Sequence, residues 1–137
     1  MDEPYWLEDF IAAGGKVNRD GTIDLYHGTT SENATRMVQT QRMETAKGAT
    51  AAYGVYLSSS PNIGKSGDER AGGYGDGTVV KVTVRLTDPL ELADQFPDGR
   101  MDFTIQAKTY RPVRISRVDK QESFGVGFRD WLVLNDV

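Results

Sequence analysis

Apolar positions recur along this chain with two spacings, and each spacing predicts an element. Near the start, Trp6, Leu7, Phe10 and Ile11 follow Asp2 and Pro4 and precede the Gly14-Gly15 pair. That spacing predicts a short amphipathic helix packed on the domain, favoured at its start by the acidic residue and proline and stopped by the glycines. Asn18-Arg19-Asp20-Gly21 reads as a turn, after which Ile23, Leu25 and His27 share one face of a strand by period-two alternation. Thr29 and Glu32 fit a capping box, with Ala34, Met37 and Val38 along one side of the helix it opens. His27 is thus expected at the carboxyl end of a strand, just before a helix.

The middle of the chain is less regular. Gln39 to Ala52 is polar and small without a clear period, which predicts a loop. Tyr53 to Ser58 reads as a short strand. Ser60-Pro61 supplies a helix start, but Gly64, Gly67, Gly72 and Gly73 weaken the ensuing helix toward a mobile flap. Thr78 to Leu86 has the clearest alternation, with Val80, Val82, Val84 and Leu86 inward and Lys81, Thr83 and Arg85 outward, Val79 sharing the outer face. Asp88-Pro89 ends it, and Phe96-Pro97-Asp98-Gly99 is a further turn. Met101 to Tyr110 is ambiguous, and Val113, Ile115 and Val118 mark another strand. A loop from Gln121 to Gly127 then leads into Asp130-Trp131-Leu132-Val133-Leu134 as the closing strand. Short strands with helices mostly in the first half, outside a regular βαβ order, predict a single α+β domain over 1–137 with a split or two-layer sheet.

Composition narrows the chemistry. The 137 residues include no cysteine and one histidine, which excludes a disulfide framework, a thiolate nucleophile and an imidazole metal cluster. A formal net charge of −4 argues against an electrostatic grip on nucleic acid. Arg111, Arg114, Arg117 and Lys120 are expected as solvent-facing strand residues rather than as a basic patch. No apolar run approaches the roughly 20 residues of a membrane span. The acidic start, Met1-Asp2-Glu3, is unlike a signal peptide. The expectation is a soluble protein, cytoplasmic or delivered into a target cell.

Candidate chemistry centres on Tyr26-His27-Gly28-Thr29-Thr30, where the sole imidazole is followed by a glycine that lets a ligand approach the main chain. It gains meaning beside Gly54-Val55-Tyr56-Leu57-Ser58, an Ala71-x-x-Tyr74 step and the late Asp130-Trp131-Leu132-Val133-Leu134. These ordered blocks resemble the ADP-ribosyltransferases, specifically the histidine-tyrosine-acid branch containing the diphtheria-toxin-like and poly-ADP-ribose-polymerase-like enzymes. In size the chain resembles the rifamycin ADP-ribosyltransferases. The resemblance runs from about Leu25 onward and leaves the first helix uncovered. It implies an ADP-ribosyltransferase-like split two-sheet core with short flanking helices, and NAD as co-substrate, cleaved between nicotinamide and ribose with transfer of ADP-ribose to an acceptor. By the same resemblance, His27 bonds a ribose hydroxyl and Gly28 brackets the nicotinamide amide through its N–H and C=O. Tyr56 and Tyr74 stack on the two faces of the nicotinamide ring, Ser58 or Thr29 adds polar contacts, and Asp130 stabilises the developing oxocarbenium charge.

The closing strand departs from the family pattern, offering Asp130 where glutamate is usual. Glu91, Asp94, Asp102 and Glu122 are the alternative carboxylates. Phe128 stands two residues before Asp130, so there is no Glu-x-Glu or Gln-x-Glu pair, which disfavours an arginine- or asparagine-directed subclass. The acceptor is expected to be a protein or a small molecule, with nucleic acid disfavoured by charge. A second expectation is a non-catalytic module that binds NAD or ADP-ribose, with Asp130 too short to act. Ser58-Ser59-Ser60 lacks a Gly-x-Ser-x-Gly elbow, and Gly-x-Gly-x-x-Gly is absent, so neither a serine hydrolase nor a Rossmann site is expected.

Overall fold

Two helices and eight strands make up the described part of the chain, which in this computed structural model comprises residues 3–44, 54–60 and 78–118. In chain order they are α1 (Leu7–Ala12), β1 (Thr22–Thr29), α2 (Ser31–Thr40), β2 (Met43–Glu44), β3 (Val55–Ser58), β4 (Thr78–Arg85), β5 (Glu91–Gln95), β6 (Met101–Ile105), β7 (Thr109–Tyr110) and β8 (Arg114–Arg117). The strand order is β5-β6-β3-β1-β4-β8 in one antiparallel sheet, and β2 pairs with β7 in a second. Helices and strands do not alternate as βαβ units, so the domain is of the α+β class.

Each local signal has a structural counterpart. In α1, Leu7 and Phe10 are buried, and Gly15 lies so close to the Phe10 ring that a Cβ there would come within 2.4 Å of it. Ile11, expected inward, is half exposed, because a helix this short turns only its Leu7 and Phe10 side to the core. Gly21 takes a φ of 80°, and its N–H donates to the Asn18 carbonyl at 3.0 Å, closing the turn into β1. The cap of α2 is Thr30, whose Oγ1 accepts from Asn33 N–H at 3.1 Å, and not Thr29. Thr29 is still paired with Thr78 in the β1–β4 ladder, which keeps it extended for one residue more.

The predicted loop from Gln39 is corrected over its first part. There α2 continues to Thr40, and Met43 is a buried strand residue opposite Tyr110. The ambiguous stretch from Met101 resolves into β6, the Asp98-Gly99 turn having joined it to β5, with Gly99 at a φ of 97°. The start of the Tyr53 strand, the Ser60-Pro61 helix with its glycine-rich continuation, the loop from Gln121 and the closing strand at Asp130 lie outside the described residues.

The core sits on the sheet face that carries Ile23, Leu25, Val80, Val82, Val84, Leu57, Phe103 and Ile115. Trp6 covers it from α1, its ring 4.7 Å from that of Phe103 and 6.1 Å from that of Phe10. From α2, Ala34 is buried, with Met37 and Val38 packed beside it. Burial of large apolar side chains on this face is the main favourable term for the fold. The opposite face departs from expectation, since Tyr26, Val79, Thr83 and Ser58 on it are also buried. There the Thr83 hydroxyl donates to Asp24 Oδ1 at 2.6 Å, so a buried polar position is satisfied within the sheet. Period-two alternation distinguishes two faces but does not reveal that both are covered.

Candidate functional site

β1 and β3 lie side by side at the centre of the sheet, and the motif residues come together where their pairing fails. The ladder between them has one register pair, Tyr26↔Ser58. β1 nevertheless runs on to Thr29, fully paired with β4 on its other side. The orientation of the peptide groups at the break is set by the neighbouring bonds. Val118 N–H donates to the Val79 carbonyl and Val113 N–H to the Thr83 carbonyl, so Val79 and Thr83 face β8. Peptide groups alternate sides along an antiparallel strand, so their partners in β1, Gly28 and Asp24, face away from β4 and toward β3. By the same rule, Ser59 N–H donating to Met101 O leaves Tyr56 facing β1. Gly28 and Tyr56 thus stand opposite each other across the gap, yet form no register pair.

His27 bridges this gap with its side chain. Its Nδ1 lies 2.7 Å from the Tyr56 carbonyl oxygen. A carbonyl only accepts, so Nδ1–H is the donor and Nε2 of the neutral ring is the acceptor nitrogen. Burial of the imidazole holds its pKa below the usual histidine value, and the bond to Tyr56 partly opposes that shift. The ring is therefore neutral at pH 7, with Nε2 able to accept from a hydroxyl. Tyr56 projects from the face opposite that of His27 and Leu57, and its side chain is 56% exposed, in contrast to the buried Val55 and Leu57 around it.

The other expected contacts sit nearby in known register. Ser58 is buried on the Tyr56 side, its Oγ accepting Ser60 N–H at 3.1 Å. Thr29 is buried at the end of β1 on the His27 side. Ser59 Oγ likewise accepts a main-chain bond, from Met101 N–H at 2.8 Å.

Among the alternative carboxylates, Asp102 is opposite Ser58, one strand from Tyr56, with Arg100 Nε 3.5 Å from its Oδ1. Glu91 and Asp94 are exposed on β5, one strand further out. Tyr74, Asp130 and Glu122 lie outside the described residues. The structure thus sets His27, Gly28 and Thr29 on the strand next to Tyr56 and Ser58, but the side chains divide between the two faces, His27 and Thr29 on one and Tyr56 and Ser58 on the other, and the contact between the blocks is through the Tyr56 main-chain carbonyl.

One participant carried no sequence signal, the main-chain carbonyl of Tyr56. Its role depends on the β1–β3 register, which no local pattern specifies. Among the described residues there is no group of three metal-ligating side chains and no helix long and apolar enough to cross a membrane. No protein-family model, curated protein or solved structure matches the chain.

Proposed function

We propose that the protein is a mono-ADP-ribosyltransferase of the histidine-tyrosine-acid type, cleaving NAD between nicotinamide and ribose. The single observation that carries this reading is the His27–Tyr56 bond, which joins two distant motif blocks at a break in the sheet beside Gly28. In this reading the neutral imidazole accepts a ribose hydroxyl at Nε2, and the peptide groups of Gly28 bracket the nicotinamide amide. The exposed Tyr56 ring stacks on the nicotinamide, with Tyr74 on its other face, and Ser58 and Thr29 line the wall. Nicotinamide leaves as a neutral molecule, so catalysis rests on orientation and on negative charge beside the developing oxocarbenium ion. Asp130 supplies that charge. The acceptor is a protein or a small molecule, and the core is the ADP-ribosyltransferase-like two-sheet arrangement.

The test is release of nicotinamide from NAD, together with transfer of labelled ADP-ribose in a cell extract. Both are expected from the native protein. Asp130→Asn is expected to lower kcat by at least about a hundredfold with little change in NAD affinity, because the carboxylate acts on charge present only in the transition state. Tyr56→Ala is expected to weaken NAD binding. Activity unchanged in His27→Ala, Tyr56→Ala and Asp130→Ala alike would overturn the assignment.

A further inference from the structure

The polar ties at the two ends of α2 carry charge the opposite way from what the helix itself favours. A helix dipole stabilises a cation near the carboxyl end and opposes one near the amino end. α2 has no basic residue in its last turn, and beyond it the neutral amide of Gln41 makes the tie to Ile115. Against its first turn stands an arginine. Arg117 donates from Nη1 to Ser31 Oγ at 3.1 Å, and from Nη2 to the Ser31 carbonyl at 2.9 Å and to Thr35 Oγ1 at 2.7 Å. All three acceptors are uncharged. Glu32, the acid of that turn, faces Arg36 at 3.6 Å, and among the described residues no carboxylate pairs with Arg117. A neutral side chain suffices for a tie, as Gln41 demonstrates, so the tie does not account for the charge.

The sheet sets that charge beside the site. His27 is opposite Val80 and Val80 is opposite Arg117, so the three side chains leave one face in a single cross-strand row. Two strand spacings, roughly 10 Å, separate the first from the last. Arg117 is exposed, and the turn it grips is the one that follows directly on His27, Gly28 and Thr29.

We propose that Arg117 is a binding residue for the diphosphate of NAD, its charge meeting the anionic half of the ligand while its other hydrogen bonds stay on α2. In NAD the diphosphate is joined to the ribose that the proposed function puts at His27, so a ligand seated there carries its negative charge toward the neighbouring strands on the same face. The inference rests on that reading and adds to it a residue outside the motif blocks, one that selects a phosphate-bearing ligand over an uncharged one.

The test is calorimetric titration of the full chain with ADP-ribose, which has the diphosphate, and with nicotinamide, which has none. Arg117→Gln is expected to bind ADP-ribose at least about tenfold more weakly than the native protein, and nicotinamide equally well. Arg117→Lys, which keeps the charge but not the planar fork, is expected to stay within about threefold of native for ADP-ribose. Should Arg117→Gln lose its fold, seen as collapse of its amide NMR spectrum, the native protein supplies the measurement: its Arg117 Nε–H resonance is expected to shift on adding ADP-ribose and to stay in place on adding nicotinamide.

Equal ADP-ribose affinity in the native protein and folded Arg117→Gln would overturn the inference, as would an equal loss for both ligands, which would make Arg117 a tie alone. A native protein that binds nicotinamide but not ADP-ribose, or an Nε–H resonance indifferent to ADP-ribose, would overturn it too, with the nicotinamide site left standing. A native protein that binds neither ligand would overturn the proposed function, and this inference with it.

Discussion

A single imidazole gives this protein a pH dependence that can be assigned to one residue. Burial lowers the pKa of His27 in the folded state, whereas in the unfolded chain the ring titrates near its ordinary value of 6.5. Below that value the unfolded state binds more protons than the folded one, so the contribution of His27 to stability is lost as pH falls. Urea midpoints measured at about pH 7.5 and about pH 5.5 are therefore expected to drop further for the native protein than for His27→Asn, which has nothing to titrate there. The position of this residue was legible in the sequence: alternation from Ile23 and the cap signals after it put it at a strand end before a helix. Its bond to Tyr56 was not legible, because it depends on how two strands far apart in the chain align.

At the scale of elements, the connection of α2 to β8 rests on Gln41 and Arg117. Gln41 adopts a left-handed conformation with a φ of 54°, and its side-chain amide pairs with the main chain of Ile115, accepting from the N–H at 2.8 Å and donating to the carbonyl at 2.9 Å. Arg117 reaches back to α2, donating to the Ser31 carbonyl at 2.9 Å and to Thr35 Oγ1 at 2.7 Å. It is thus a helix-to-strand tie rather than the freely solvated residue its spacing suggested. Gln41→Ala is expected to lower the unfolding free energy by about 1–3 kcal/mol, since it leaves partly buried main-chain groups unpaired. Gln41→Gly is expected to be the more stable of the two variants by roughly 1 kcal/mol, because glycine accepts the left-handed backbone without strain. Urea unfolding of both variants measures the difference. Helix and strand periods disclosed α1, β1, α2 and β4. They missed β2, whose two residues are too few to show alternation, and β6, whose Met101, Phe103, Thr104 and Ile105 are buried on both sides of an interior strand.

For the molecule as a whole, the segment least connected to the motifs is structurally central. Trp6 is almost fully buried between Phe10 and Phe103, so α1 is part of the core that the site is built upon. Trp6→Ala is expected to cost about 3–5 kcal/mol, measured by urea unfolding, from the cavity left under α1. The flanks of the six-stranded sheet have a different consequence. Of its two outer strands among the described residues, β5 presents Glu91 and Asp94 with an irregularity between Leu92 and Asp94, and β8 already has its Ile115 main chain occupied by Gln41. Two copies approaching through β5 would set carboxylates against carboxylates, and two approaching through β8 would first have to displace an amide. Among the described residues, both edges are thereby poor templates for strand pairing with a second copy, one by its charge and the other by an amide already in place.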